Sequence, residues 1–163
     1  MIQANDYVDL KGNFIPVVDL DDEERKLVSQ LKRRAKQHPD WNDFENYWTQ
    51  AVWEFYQPRG LTQKQARATG VYRIAQDLGS RLAIEAGIAR APDYRDELDQ
   101  LIRTHFPTRR AFCQAAGLSE DMLSHVMAGR KHLAIDTLAQ ALGRIGFTLK
   151  IMPVTSIEST TDT

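Results

Sequence analysis

The sequence predicts a mainly α protein: a helical N-terminal domain with a candidate small hairpin, and a C-terminal bundle of short helices ending in a short β-strand. Three observations carry this. Apolar residues recur at helical spacing through most of the chain, cap and breaker residues interrupt them at short intervals, and strand-like runs lie only near the two ends. The 163 residues, with 42% apolar and 26% charged positions, have the balance of a globular chain. Disorder, collagen and a disulfide scaffold are excluded. At this length folding buries roughly 70% of the unfolded chain's surface, so the core needs no metal or disulfide.

Tyr7-Val8-Asp9-Leu10 and Phe14-Ile15-Pro16-Val17-Val18 flank the turn tripeptide Lys11-Gly12-Asn13, a pattern that fits a small hairpin as well as it fits loop. Pro16 would hold the second strand to an edge. From Asp21 the pattern is helical: Asp21, Asp22, Glu23 and Glu24 suit a helix N-terminus, and Leu27, Val28, Leu31 and Ala35 form a stripe. Lys32, Arg33, Arg34 and Lys36 read as its solvated end, and the helix should stop before His38-Pro39. A second helix from Asp40 carries Trp41, Phe44, Tyr47, Trp48, Trp53, Phe55 and Tyr56, half of the 14 aromatic residues. The stripe of Trp41, Phe44, Trp48, Val52 and Phe55 is read first as a core. An aromatic ligand pocket or partner groove is the alternative, and no convergent set of polar groups nearby in the sequence supports it. After the break at Gln57-Pro58-Arg59-Gly60, Thr62 caps a third helix that runs towards Arg90, in which Gly70, Gly79 and Gly87 fit close helix packing as well as a bend or interruption at one of them. Ala91-Pro92-Asp93 is the connector. It divides the chain into 1–92, a helical domain of unknown role, and 93–154, with a disordered tail at 155–163.

From Asp93 four short helices follow. Asp93 to Phe106 is the first, Pro107-Thr108 ends it and caps Arg109 to Ala116, and Ser119 caps Glu120 to Met127. The last helix lies near Ile135 to Ile145, before the alternating run Phe147 to Met152. Two short helices joined by a tight glycine turn are the signature of a helix-turn-helix. Counting from Arg109, the fifth position is the small Cys113, where the helices come closest, and the ninth is Gly117, where the turn needs a positive φ. Leu118, Leu123 and Val126 supply the apolar contacts between them.

The stretch from Thr108 to Lys131, with Gly117, Ser124 and Gly129 in place, resembles the Cro/repressor (Xre) family of helix-turn-helix regulators. Its continuation, from Ile135 to Gly143 and then Gly146-Phe-Thr-Leu-Lys-Ile, looks like the closing helix and terminal strand of antitoxin-like members. The resemblance covers residues 96–152, about a third of the chain; residues 1–92 carry none. It implies double-stranded DNA as partner, with the second helix of the motif in the major groove. By position, Ser119, Glu120, Asp121, Met122, Ser124 and His125 would face bases, and Thr108, Arg109, Arg110, Arg130, Lys131 and His132 would hold phosphates. Homodimerisation through Phe147, Leu149 and Ile151 of the terminal strand would bring two such helices to successive half-sites. Arg109 stands where members commonly have Gln. Glu120-Asp121 places carboxylates where readers usually carry neutral or basic groups, and both acids complement the helix dipole.

Charge agrees with an anionic partner at one end: residues 1–60 carry 8 basic and 11 acidic side chains, residues 103–150 carry 7 and 3. The reading is a sequence-specific DNA-binding regulator, a repressor or autoregulator of antitoxin type. The alternative is a protein-interaction module, a toxin-neutralising antitoxin or scaffold, in which DNA binding is weak or lost. No nucleotide loop, metal quartet, nucleophile elbow or zinc-protease helix argues for an enzyme, so no cofactor is expected. His105, His125 and His132 have no metal spacing with Cys113, which reads as a packing residue. A single cysteine and a start, Met1 to Asp6, without signal-peptide pattern predict a cytoplasmic protein. The longest apolar runs, such as Phe14 to Val18, fall far short of the ~20 residues that span a membrane.

Overall fold

A computed structural model describes residues 6–153. The tail expected at 155–163 and position 154 of the second domain lie outside the described residues. The chain is mainly helical and divides into two compact units, residues 6–91 and Pro92–Met152.

The first unit opens with the hairpin. β1 (Tyr7–Val8) and β2 (Phe14–Ile15) pair antiparallel, Tyr7 opposite Ile15. Asp9 closes the turn, its carboxylate accepting from Lys11 N at 2.9 Å and Asn13 N at 2.8 Å, an Asx-type use of the side chain. A pair of two-residue strands is unstable alone. Asp77 supplies the missing support: its Oδ2 accepts from the Tyr7 hydroxyl at 2.6 Å and from Arg81 Nε at 2.7 Å, and its Oδ1 accepts from Leu10 N at 2.9 Å.

A 3-10 turn at Val17–Asp19 leads to α1 (Asp22–Ala35), started by a reciprocal capping box of Asp21 and Glu24. α2 (Trp41–Tyr56) is capped by Asp40. The line it buries is Phe44, Trp48, Val52 and Tyr56, not one ending at Phe55. Phe55 turns to the rim, where the Arg59 guanidinium covers its ring at 4.0 Å. The expected third helix is two: α3 (Gln63–Arg67) and α4 (Gly70–Glu85). Thr69 makes the break, donating to Ala66 O at 2.6 Å and accepting from Tyr72 N at 3.2 Å, so one hydroxyl closes one helix and caps the next. The second helix ends before Gly87, at φ +72°.

α4 packs against α1 and α2 around Leu31, Trp48, Val52, Val71, Ile74 and Ala75. Gly79 permits that approach, because a Cβ there would overlap the Glu45 carboxylate and lie 3.2 Å from Trp48 Nε1. Basic residues of α1 are not simply solvated: Lys32 Nζ lies 5.4 Å from the Tyr7 ring centroid and Arg34 covers Tyr47 at 4.9 Å. Burial holds the Lys32 ammonium below its usual range.

Burial, then the Asp77 carboxylate, pushes the Tyr7 hydroxyl well above the ordinary phenol range. A raised folded-state pKa favours the neutral form, so its stabilisation is complete below the unfolded value of about 10 and is lost as pH rises beyond it. The first unit is therefore expected to weaken progressively above about pH 10, and Tyr7→Phe to remove that component. Urea midpoints at a series of alkaline pH values test this; parallel curves for the two proteins would refute it.

The second unit contains α5 (Tyr94–His105), α6 (Arg109–Ala116), α7 (Glu120–Met127) and α8 (Ile135–Arg144). Its core is built on Leu98, Ile102, Phe112, Cys113, Leu123, Val126 and Leu142. α6 is central, touching α5, α7 and α8. The expected terminal strand is not formed: after Gly146, at φ +82°, residues 147–152 have no regular structure. Phe147 N instead donates to Leu142 O at 2.9 Å, closing α8, and its ring packs 5.1 Å from His105. A strand needs a ladder partner, and the one sheet among the described residues is β1 with β2.

Candidate nucleic-acid interface

The α6–turn–α7 unit is assembled from local signals. Thr108 Oγ1 accepts from Ala111 N at 3.1 Å and starts α6, leaving the N–H groups of its first turn facing outward. Gly117 takes φ +73° and donates to Cys113 O at 2.9 Å, so the chain reverses in one residue. Any side chain there would be strained and would overlap the Arg144 guanidinium, which reaches back from α8 towards Ala116 O. Ser119 Oγ then accepts from Met122 N at 3.1 Å and caps α7.

The interior face of α7 is Leu123 and Val126, and Met122 is half-buried at the edge of the core. Met122 is thus the base-facing candidate most occupied by packing. Glu120, Asp121 and Ser124 are exposed and His125 is half-buried on the outer side. Ser119 is exposed, although its hydroxyl is engaged in the cap.

The carboxylates on this face have cationic or imidazole neighbours. Arg110 Nε lies 4.0 Å from Glu120 Oε2, and Asp121 Oδ1 lies 3.5 Å from His125 Nε2. Arg130 Nε donates to His125 Nδ1 at 2.9 Å, which makes Nδ1 the acceptor and leaves Nε2 to carry the proton towards Asp121. A chain of Asp121, His125 and Arg130 therefore crosses the outer face of α7. The acids that a sequence comparison would count as repulsive to phosphate are partly offset in place.

Arg109 is committed at its other end, since Asp99 takes it at 3.1 Å and Arg103 at 2.7 Å. Lys131 and His132 are exposed, and neither side chain has an ion pair among the described residues. The turn that presents them is fixed from beneath: Arg130 N and Lys131 N both donate to His125 O, Gly129 sits at φ +74°, and Leu133 N donates to the Tyr94 hydroxyl at 3.1 Å. Arg95, held by Asp93, lies close above Gly129. Sequence reasoning missed Tyr94, Arg95, Asp99 and Arg144. Only Asp99 carried a signal, its spacing of four from Arg103; the others act across distant parts of the chain.

Cys113 is buried where α6 meets its neighbours, and burial pushes its thiol up, the state of a packing residue. Phe147, Leu149 and Ile151 present apolar surface, with Ile151 99% exposed. Among the described residues no three His, Cys, Asp or Glu side chains are grouped to hold a metal, and no helix is long and apolar enough to cross a membrane.

Fold and surface together define a mainly helical protein of two compact units, the second built around two short helices and a glycine turn. The chain matches no protein-family model, no curated protein and no solved structure.

Proposed function

We propose that the second unit binds double-stranded DNA, with α7 in the major groove, and that the protein is a cytoplasmic transcriptional regulator of the repressor or autoregulator type, similar to antitoxins. The observation that carries this is the disposition of α7. Its inner face is locked by Leu123 and Val126, and its outer face is flanked by Arg109 and Arg110 before it and by Arg130 and Lys131 after it. Phosphates meet cations and the first turn of α6 on one side, and the basic turn on the other. Base edges then face Glu120, Asp121, Ser124 and His125. The exposed Phe147, Leu149 and Ile151, which form no strand in this unit, offer apolar surface to a second copy, and such a pairing would set two α7 helices about 34 Å apart on one face of the duplex. The function is binding and not chemistry.

A salt-dependent titration with the DNA upstream of the protein's own gene, against a scrambled duplex, tests this. A steep salt slope and a large preference for the upstream DNA are expected. Arg130→Ala should weaken all duplexes alike and flatten the salt slope by about 2 for a dimer. His125→Ala should instead change the ranking of sites. Because Arg130 rests on His125 Nδ1, the two losses should be non-additive in a double-mutant cycle. Equal losses on matched and scrambled DNA for both variants would show that His125 does not read bases.

One observation favours a second reading, a protein-interaction module such as a toxin-neutralising antitoxin. The Asp121 and Glu120 side chains are 85% and 60% exposed, so α7 also presents an acidic edge suited to a basic protein surface. Salt-insensitive binding to both duplexes, or none to either, would favour that reading.

A further inference from the structure

The aromatic helix α2 does more than fill the core. Where α3 folds back across it, a cavity of about 180 Å³ opens to solvent. α2 contributes Val52 and Trp53, α3 contributes Ala66 and Arg67, and α4 contributes Tyr72. Val52 and Ala66 are buried and form the apolar floor; the Trp53 and Tyr72 rings are half-buried and form the walls. Tyr72 is held in place by Trp48, whose ring meets it edge to face at 5.1 Å.

The polar groups are unequal in charge. Thr49 and Gln63 lie at the rim, and the Thr49 hydroxyl already donates to Glu45 O at 2.6 Å, so it is left as an acceptor. Arg67 is the one charged residue of the lining, and no carboxylate is part of it. Arg59 and Arg81 in the same unit are committed to Asp21 and Asp77, whereas Arg67 makes no ion pair with a described residue. This is the convergent polar set that residues 40–56 do not contain by themselves: Thr49 comes from α2, and Gln63 and Arg67 from α3.

Size and chemistry then select the ligand. A cavity of about 150 Å³ accepts a benzene ring, so this one holds a single six-membered ring with one small substituent. Two aromatic side chains in the lining, Trp53 and Tyr72, favour an aromatic ring. A guanidinium with five donors, in a lining without a carboxylate, favours a planar anion that it can grip with two hydrogen bonds. We propose that this cavity is a binding site for a small aromatic carboxylate, with Trp53 and Tyr72 against the ring and Arg67 on the carboxylate. The site is independent of the DNA-binding reading and is tested without DNA.

The experiment uses the full-length protein and benzoate as the probe, read on the indole N–H resonance of Trp53, assigned with Trp53→Phe. A saturable shift with Kd near 1 mM is expected, within what a ligand of so few atoms can reach. Arg67→Gln, at an exposed position, should weaken benzoate about tenfold or more and leave benzamide unchanged. Cyclohexanecarboxylate and benzylammonium should bind more weakly than benzoate. The assignment is overturned by a shift that stays linear to about 10 mM benzoate, by unchanged benzoate affinity in a folded Arg67→Gln, or by benzylammonium binding as tightly as benzoate.

Discussion

Asp77→Ala is expected to destabilise the first unit by about 3–5 kcal/mol, the effect of breaking a buried ion pair from one side. The Asp77 and Arg81 side chains are 8% and 9% exposed, and one carboxylate accepts from Tyr7, Leu10 and Arg81 together. Alanine would take the Asp77 charge away from the buried guanidinium and would deprive the Tyr7 hydroxyl and the Leu10 amide of their acceptor. Arg81 also donates to Val8 O at 3.2 Å, so the hairpin loses its attachment to α4 at several points. Asp77→Asn, which retains a carbonyl acceptor, should fall between the two. Trp41, Trp48 and Trp53 all lie on α2, so urea unfolding followed by tryptophan fluorescence reports this unit. A loss under about 1 kcal/mol would mean that the freed groups recover water and that the network does not hold the hairpin.

Phe112→Ala should have an effect of similar size, about 3–5 kcal/mol, on the second unit. Phe112 is fully buried on the central helix α6, with its ring edge-on to Phe106 at 5.4 Å. A unit of this size has little stability to spare, so a cavity at its centre should leave much of it unfolded at 37 °C. The DNA affinity proposed for this unit should disappear together with hydrogen-exchange protection of α6 and α7. Arg130→Ala should lose affinity with protection intact, which separates loss of fold from loss of contact. Unchanged protection in Phe112→Ala would contradict the central place assigned to this side chain.

The four helices of the second unit could be read from sequence because each boundary is set within a few residues. Thr108 and Ser119 reach N–H groups three positions on, and Gly117 satisfies the turn by its own φ. Thr69 is the same kind of signal, but the helical periodicity continuing on both sides concealed it. The alternation of Phe147 to Met152 is equally local and still did not yield a strand, because a ladder requires a second edge that no local pattern supplies. Acidity at Glu120 and Asp121 was visible as composition, whereas its compensation by Arg110 and by the His125–Arg130 pair was not.

Composition and short-range pattern thus determined the mainly helical class, the caps, the position of the glycine turn and the residues exposed around it. These depend on interactions within about one helical turn, which a linear sequence carries directly. Tertiary structure alone decided the rest. It brought Tyr7 to Asp77 across 70 positions, Leu133 to Tyr94 across 39, and Arg67 to Trp53 and Tyr72 around one cavity. Such contacts arise only when separate helices bury their apolar faces together, and nothing in their local sequence marks them in advance.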